Sequence, residues 1–210
     1  MYKDASQTSY RLELKKKILD ASMAEFLSKG VKSVKMDDIA NTLGISKRTL
    51  YEIYSNKEAL LLEGVKVHES ICDAHMAEYG SNPAHSVIDI IIEYYKMQIN
   101  NFSDINPLFF SDLHKYQAVK EYLEGRHEAR SSRAVEFFLR GVDEGYFRKD
   151  VDYGIVLRIG NVSMGYVMQS QMYKEFDLKY VMHNIIFLFL RGLCTAAGIK
   201  KLDEFIDQGW

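Results

Sequence analysis

The chain has 210 residues, room for a small module of about 50 residues ahead of a larger one. A net charge of −2 excludes a protein coated in basic surface, and only two prolines, Pro83 and Pro107, interrupt long stretches free to be helical. Two cysteines, Cys72 and Cys194, make no C-x-x-C pattern and imply no disulfide framework.

A first helix is predicted from about Arg11 to Lys29, where Leu14, Ile18, Ala21 or Ser22, and Phe26 recur on one face until Gly30 stops it. A short second element, Met36 to Leu43, carries Ile39, Ala40 and Leu43 and ends at Gly44, a position suited to positive φ. Ile45 then turns back to the core, and Ser46 is placed to cap a third helix, Lys47 to Tyr54, barely two turns long. Ser55-Asn56-Lys57-Glu58 has capping-box spacing and predicts a long fourth helix to about Tyr79, broken by Gly80-Ser81-Asn82-Pro83. Further helices are predicted at about 84–102, 107–116, 118–145, 152–174 and 178–197. The expected fold is all-α with about nine helices: an N-terminal three-helix domain, residues 1–55, and a larger helical domain, residues 56–210.

Charge is uneven along this layout. Residues 1–57 hold 11 Lys or Arg against 7 Asp or Glu, whereas the remainder holds 16 against 22, so the N-terminal quarter alone suits a polyanion. Three short helices and a long one, with a glycine turn between the second and third, form the layout of a helix-turn-helix DNA reader. In such a reader the third helix enters the major groove and needs polar and basic groups near its start. Ser46-Lys47-Arg48-Thr49-Leu50-Tyr51 supplies them, with Leu50 and Ile53 turned inward.

Ile18-Leu19-Asp20-Ala21, Phe26, Gly30, Asp38-Ile39-Ala40, Leu43-Gly44-Ile45-Ser46, Thr49-Leu50-Tyr51 and Tyr54-Ser55-Asn56-Lys57-Glu58-Ala59-Leu60 together resemble the DNA-binding domain of the tetracycline-repressor (TetR) family, over about residues 11–62. The resemblance implies that Lys47 and Arg48 read base edges or phosphates, with Arg48 suited to a bidentate guanine contact. It implies phosphate contacts through the hydroxyls of Ser46, Thr49, Tyr51 and Tyr54, and through Lys57 at the start of the fourth helix. Lys35 stands where the family often has a capping threonine, and its ammonium is a candidate phosphate contact. Arg48 replaces a commonly small residue, and Ile53 a frequent ring.

Past Leu62 no ligand residue follows from the resemblance. An aromatic run from Tyr94 to Tyr116, and soft and polar side chains between Asn161 and Met172, suit an apolar cavity with a few polar anchors. Tyr94, Gln98, His114, Asn161, Met164 and Gln169 are the candidates for contact with a small, largely apolar or aromatic effector. The last two long helices, about 152–174 and 178–197, combine Gly154, Gly160, Gly165 and Gly192 with an apolar run, Ile185 to Leu190, and are expected to form a homodimer interface. Two readers about 34 Å apart then face a near-palindromic site on double-stranded DNA. His68, Cys72 and His75 share one face of the fourth helix, leaving metal or thiol sensing, or control by a protein partner, as rival modes. No cofactor, metal or catalytic residue is assigned: the sequence has no Gly-rich phosphate loop, nucleophile elbow or His-Glu-x-x-His. The N-terminus lacks a signal-like apolar stretch and Ile185–Leu190 is too short to span a bilayer, so a cytoplasmic location is expected.

Overall fold

The computed structural model describes residues 2–103 and 105–207, and these are helical with short connections. The helices are α1 (Tyr2–Lys29), α2 (Met36–Leu43), α3 (Lys47–Ile53), α4 (Lys57–Ser81), α5 (Val87–Ser103), α6 (Pro107–Leu113), α7 (Gln117–Asp143), α8 (Tyr153–Gln169), α9 (Leu178–Leu193) and α10 (Ala196–Ile206), with a 3-10 turn at Met172–Lys174. None of them, among the described residues, is long and apolar enough to cross a membrane. Two compact units result: Met1–Ile71 with Asp104–Leu123, and Cys72–Ser103 with Glu124–Trp210. The first unit therefore reaches beyond the three-helix module of residues 1–55, taking in the first half of α4, all of α6 and the start of α7.

In the first unit, α1 buries Ile18, Leu19, Ser22 and Phe26 on one face, and Ser22 escapes desolvation by donating to the Ile18 carbonyl at 2.6 Å. Gly30 ends α1 at φ +79, a conformation an L side chain resists, and a Cβ there would lie 3.0 Å from that of Leu108. Gly44 ends α2 at φ +63, and the Ile45 N–H closes on the Ala40 carbonyl at 3.0 Å. Ile39 and Ala40 of α2, Leu50 of α3, Leu60 and Leu61 of α4 and Val119 of α7 complete one core with α1. Asp112 of α6, 3% exposed, accepts from the Lys32 N–H at 2.8 Å and from Lys115 Nζ at 2.6 Å. Burial pushes its pKa up, but those hydrogen bonds and the two positive charges outweigh burial and hold it below the ordinary carboxylate value.

Three predicted details change. The fourth helix is capped by Asn56, whose Oδ1 accepts from the Ala59 N–H at 2.8 Å, instead of by a Ser55–Glu58 box; Glu58 instead accepts the Ala118 N–H at the start of α7 at 2.8 Å. The segment expected as one helix from 152 to 174 ends at Gln169, with Gln171 in the left-handed region at φ +58. The final predicted helix stops at Leu193 and a separate α10 follows, because Cys194 is extended and Thr195 opens a new helix by accepting from the Gly198 N–H at 3.3 Å.

In the second unit, α10 is tied to the start of α5 by Lys201, which donates to Asp89 at 2.5 Å and to Ser86 at 2.8 Å. Leu202 and Phe205 of α10 are buried. Tyr95 of α5 is buried edge-on against Phe187 and Phe205, with ring centroids at 5.0 and 6.1 Å, and its hydroxyl lies 3.0 Å from His183 Nδ1. Asp73 at the α4 side of this unit pairs with Arg126 and Arg130 of α7.

Candidate nucleic-acid interface

The third helix is held from beneath by Leu50, fully buried, and by the partly buried Ile53. Its start is fixed by Ser46, whose Oγ accepts from the Thr49 N–H at 3.0 Å and lies 2.8 Å from the Thr49 hydroxyl. A seven-residue helix has few internal bonds of its own, so this cap and the Leu50 anchor decide its orientation. What then faces solvent is Lys47, Arg48, Tyr51 and Glu52, and the Arg48 side chain is 88% exposed. This is a basic, hydroxyl-bearing and aromatic ridge one helix wide, the shape a major groove admits.

Charges on the ridge are paired. Arg48 Nε donates to Glu52 Oε1 at 2.8 Å, one turn along α3, and Lys47 Nζ donates to Asp37 Oδ2 of α2 at 2.5 Å. Hydrogen bonding to these carboxylates raises the pKa of both cations above the ordinary value, so neither surrenders its charge near neutrality. Arg11 of α1 donates to the Glu52 carbonyl at 3.3 Å, a cation at the C-terminal end of the reading helix. The sequence reading missed Asp37, Glu52 and Arg11. The Arg48–Glu52 spacing of four was the available signal; the other two depend on the fold.

The remaining expected DNA contacts divide. Lys35 is exposed at the N-cap of α2 and makes no side-chain cap; instead Asp38 accepts the Lys35 N–H at 3.1 Å. Ser46 and Thr49 spend their hydroxyls on each other. Tyr54, expected at a phosphate, is 3% exposed in the core, and its hydroxyl has no hydrogen-bond partner among the described residues. The reason is local: Tyr54 follows the end of α3 in an extended conformation, φ −128 and ψ 113, which turns its ring away from the ridge. Lys57, also expected at a phosphate, is partly buried and donates to the carbonyls of Val31 and Val34, both at 2.9 Å. Burial lowers its pKa, and the nearby Asp112 offsets this only in part. Lys57 closes the loop between α1 and α2.

Residues 18–63 match the family model described as bacterial regulatory proteins, tetR family. The HTH-type transcriptional repressor KstR2 of Mycobacterium tuberculosis is 26% identical over 153 residues, covering 67% of this chain and 72% of the relative. The solved structure of ketosteroid transcriptional regulator KstR2 superposes with a TM-score of 0.57 at 18% identity, over 86% of this chain and 95% of that one. The N-terminal segment of this chain, residues 18–63, is thus similar to the tetR family. Two further structures share this fold: a TetR-family protein from Agrobacterium tumefaciens, TM-score 0.70, 14% identity, 88% of this chain and 100% of that one, and a regulator from Saccharomonospora viridis in complex with choline, TM-score 0.69, 15% identity, 87% and 98%. Within this chain the matched stretch is the segment that builds the ridge, from the buried face of α1 to the first turns of α4.

The effector candidates are dispersed. Gln98 and Met164 are partly buried, while Tyr94, His114, Asn161 and Gln169 are exposed; His114 lies in the first unit and the others in the second. Phe102 and Met168, in the same aromatic and soft stretches, lie outside the described side chains. The second unit's buried rings include instead Tyr95, Phe187 and Phe205, with the partly buried His183 against the first two, and Phe147 with Tyr153. Of the sensing trio on α4, Cys72 is buried and His75 Nε2 lies 2.7 Å from Glu93 Oε1. Among the described residues no three His, Cys, Asp or Glu side chains are grouped to hold a metal.

Proposed function

We propose that the regulator is a cytoplasmic repressor that binds duplex DNA as a homodimer and is released when a small, largely apolar or aromatic molecule binds its second unit. The observation that carries the reading is the exposed Lys47-Arg48-Tyr51 ridge on a helix fixed from below by Leu50. Arg48 reads a base edge, Lys47 and Tyr51 reach base edges or backbone, and exposed Lys35 adds a phosphate contact. Ser46 and Thr49 orient the helix, with their hydroxyls close enough to the ridge to share in phosphate binding. Tyr54 and Lys57 serve the domain's packing.

Homodimerisation through α8 and α9 is supported by an apolar stripe. Ile155, Ile159, Val162 and Tyr166 recur along one line of α8 and are exposed in the single chain, as are Tyr180 and Leu188 of α9. Gly160, Gly165 and Gly192 add no bulk there, and a Cβ at any of them would meet nothing within 4 Å. Effector control is supported by the choline complex of the S. viridis regulator and by a solved complex of SmeT with triclosan, TM-score 0.61 at 18% identity. The helix α4 belongs in part to each unit and so carries covalent continuity from sensor to reader. A ligand acts only by binding one arrangement of the dimer better than the other.

The test is selection of duplexes from a random library with the full-length protein, followed by titration of the selected duplex with and without a panel of apolar and aromatic effectors. Enrichment of a two-fold symmetric site, and release by at least one effector class, is the expected result. A protein that enriches nothing overturns the assignment of the ridge; enrichment with no release by any effector overturns ligand control alone.

A further inference from the structure

We infer that Glu52 is a specificity-determining positioning residue: it holds Arg48 by its Nε so that the end of the guanidinium reads a base edge and does not settle on any phosphate within reach. The inference rests on α3 being the element that enters the groove, and it deepens that reading.

The geometry is specific about which nitrogen is used. Glu52 Oε1 takes Nε at 2.8 Å, leaving both terminal amino groups of Arg48 unbonded among the described residues. Those two groups are the parallel pair that matches the N7 and O6 acceptors of guanine. The carboxylate thus removes one torsional choice from a long side chain and points its fork outward along the ridge. Glu52 is itself anchored, since the Arg11 guanidinium holds its backbone carbonyl at 3.3 Å.

Charge makes the same residue discriminate. On an unrelated duplex, Arg48 gains a phosphate only by leaving Glu52 or by bringing that carboxylate up to the anionic backbone, and either cost offsets the gain. On a guanine the Glu52 contact is kept, because the base uses the other two nitrogens. Asp37 tethers Lys47 on the neighbouring element in the same manner, so both cations of the ridge are held by carboxylates before DNA arrives. An exposed pair of this kind is a weak brake, worth a factor of about two to five in an equilibrium. That is small against the discrimination a bidentate base contact provides, and large enough to tilt the contest between bases and phosphates.

The experiment uses the full-length protein, the duplex it selects from a random library, and a scrambled duplex of equal length and composition. Glu52→Gln is expected to bind the scrambled duplex about two- to fivefold more tightly and to steepen its salt dependence by about one phosphate equivalent, while the preference for the selected duplex falls about tenfold. Glu52→Asp keeps the charge but is one methylene short of Nε, so its preference should fall as well. In an Arg48→Ala background neither change at position 52 should alter the preference. Equal tightening on both duplexes by Glu52→Gln, a Glu52→Asp variant indistinguishable from the parent, or the same effect without Arg48 would reduce Glu52 to a distant charge and overturn the inference. A parent protein with no preference among duplexes would sink the groove-entry reading itself, an outcome separate from the other three. Exposure of both side chains keeps these variants folded, which matched thermal unfolding curves check.

Discussion

Tyr54 and Lys57 show how one hydroxyl and one ammonium, alike on paper to those proposed to meet DNA, are engaged in packing the first unit. Burial, then the charge and proximity of Glu63 and the charge of Asp20, push the Tyr54 phenol well above its usual range, and its oxygen has no partner within hydrogen-bond geometry among the described residues. Tyr54→Phe should therefore leave DNA affinity unchanged and raise stability by up to about 1 kcal/mol in urea unfolding, since only an unsatisfied polar atom is removed. A marked loss of affinity would return Tyr54 to the interface. Lys57→Met keeps the aliphatic stem but strips the donor from the Val31 and Val34 carbonyls, and should cost about 1 to 3 kcal/mol by the same assay. Residue types and helical phase made the exposure of Lys47, Arg48 and Tyr51 along one ridge legible in the sequence. Tyr54 was not legible because its direction depends on where α3 stops, and a change of one residue at a helix end swings a side chain to another face.

At the scale of elements, the glycines located the C-terminal ends of α1, α2 and α7, because Gly30, Gly44 and Gly145 all sit at positive φ where few residues substitute, whereas α1 begins at Tyr2 and not at about Arg11. What escaped was α10. Its Thr195 cap and its Ile199, Leu202 and Phe205 spacing were present, but the long apolar run before it read as one continuous helix. The break at Cys194 comes from tertiary bonds: Arg148 donates its N–H to the Leu193 carbonyl and Thr195 its own to the Tyr146 carbonyl, both at 2.9 Å. No local rule contains those partners. The same corner makes Gly141 of α7 sensitive, since a Cβ there would lie 2.1 Å from the buried Phe147 ring and 2.9 Å from Val87. Gly141→Ala should destabilise by about 1 to 3 kcal/mol, the usual penalty for overpacking. For the reader, Ser46→Ala removes the α3 cap and should cost about 1 kcal/mol, with affinity for selected and scrambled duplexes falling together as the helix frays. Loss confined to the selected duplex would instead mark Ser46 as a direct base contact.

At the scale of the molecule, two features of the second unit govern behaviour. The first is acid sensitivity. Burial, then the positive charge of Arg191, holds the His183 pKa below its ordinary 6.5, so the unfolded chain binds that proton more readily and stability rises with pH. This contribution is present above about pH 6.5 and drains away as pH falls toward the lower folded value. The carboxyls of Asp73 and Asp89 are partly desolvated, yet their Arg and Lys partners hold them below 3.8, so a second loss begins only in stronger acid. Urea midpoints from neutral pH down to about 5.5 should fall for the parent and stay flatter for His183→Gln, since the substitution removes the contribution of the depressed His183. The second feature is the exposed line of α8, where Val162 is 73% exposed, and of α9, where Leu188 is 74% exposed. An apolar stripe crossing two helices is unfavourable in water, and in the proposed homodimer a symmetry mate would cover it with an identical stripe. Val162→Glu would place an unpaired charge in that contact, so sedimentation should show the mass of one chain at micromolar concentration. The parent should sediment as a dimer. DNA affinity then separates the two functions: the monomer keeps an intact ridge and should bind a single half-site as the parent does, but lose the gain the parent shows on two half-sites about one helical turn apart. A variant that stays dimeric would place the interface elsewhere, and one that stays dimeric yet loses the two-site gain would show that Val162 sets the spacing of the readers.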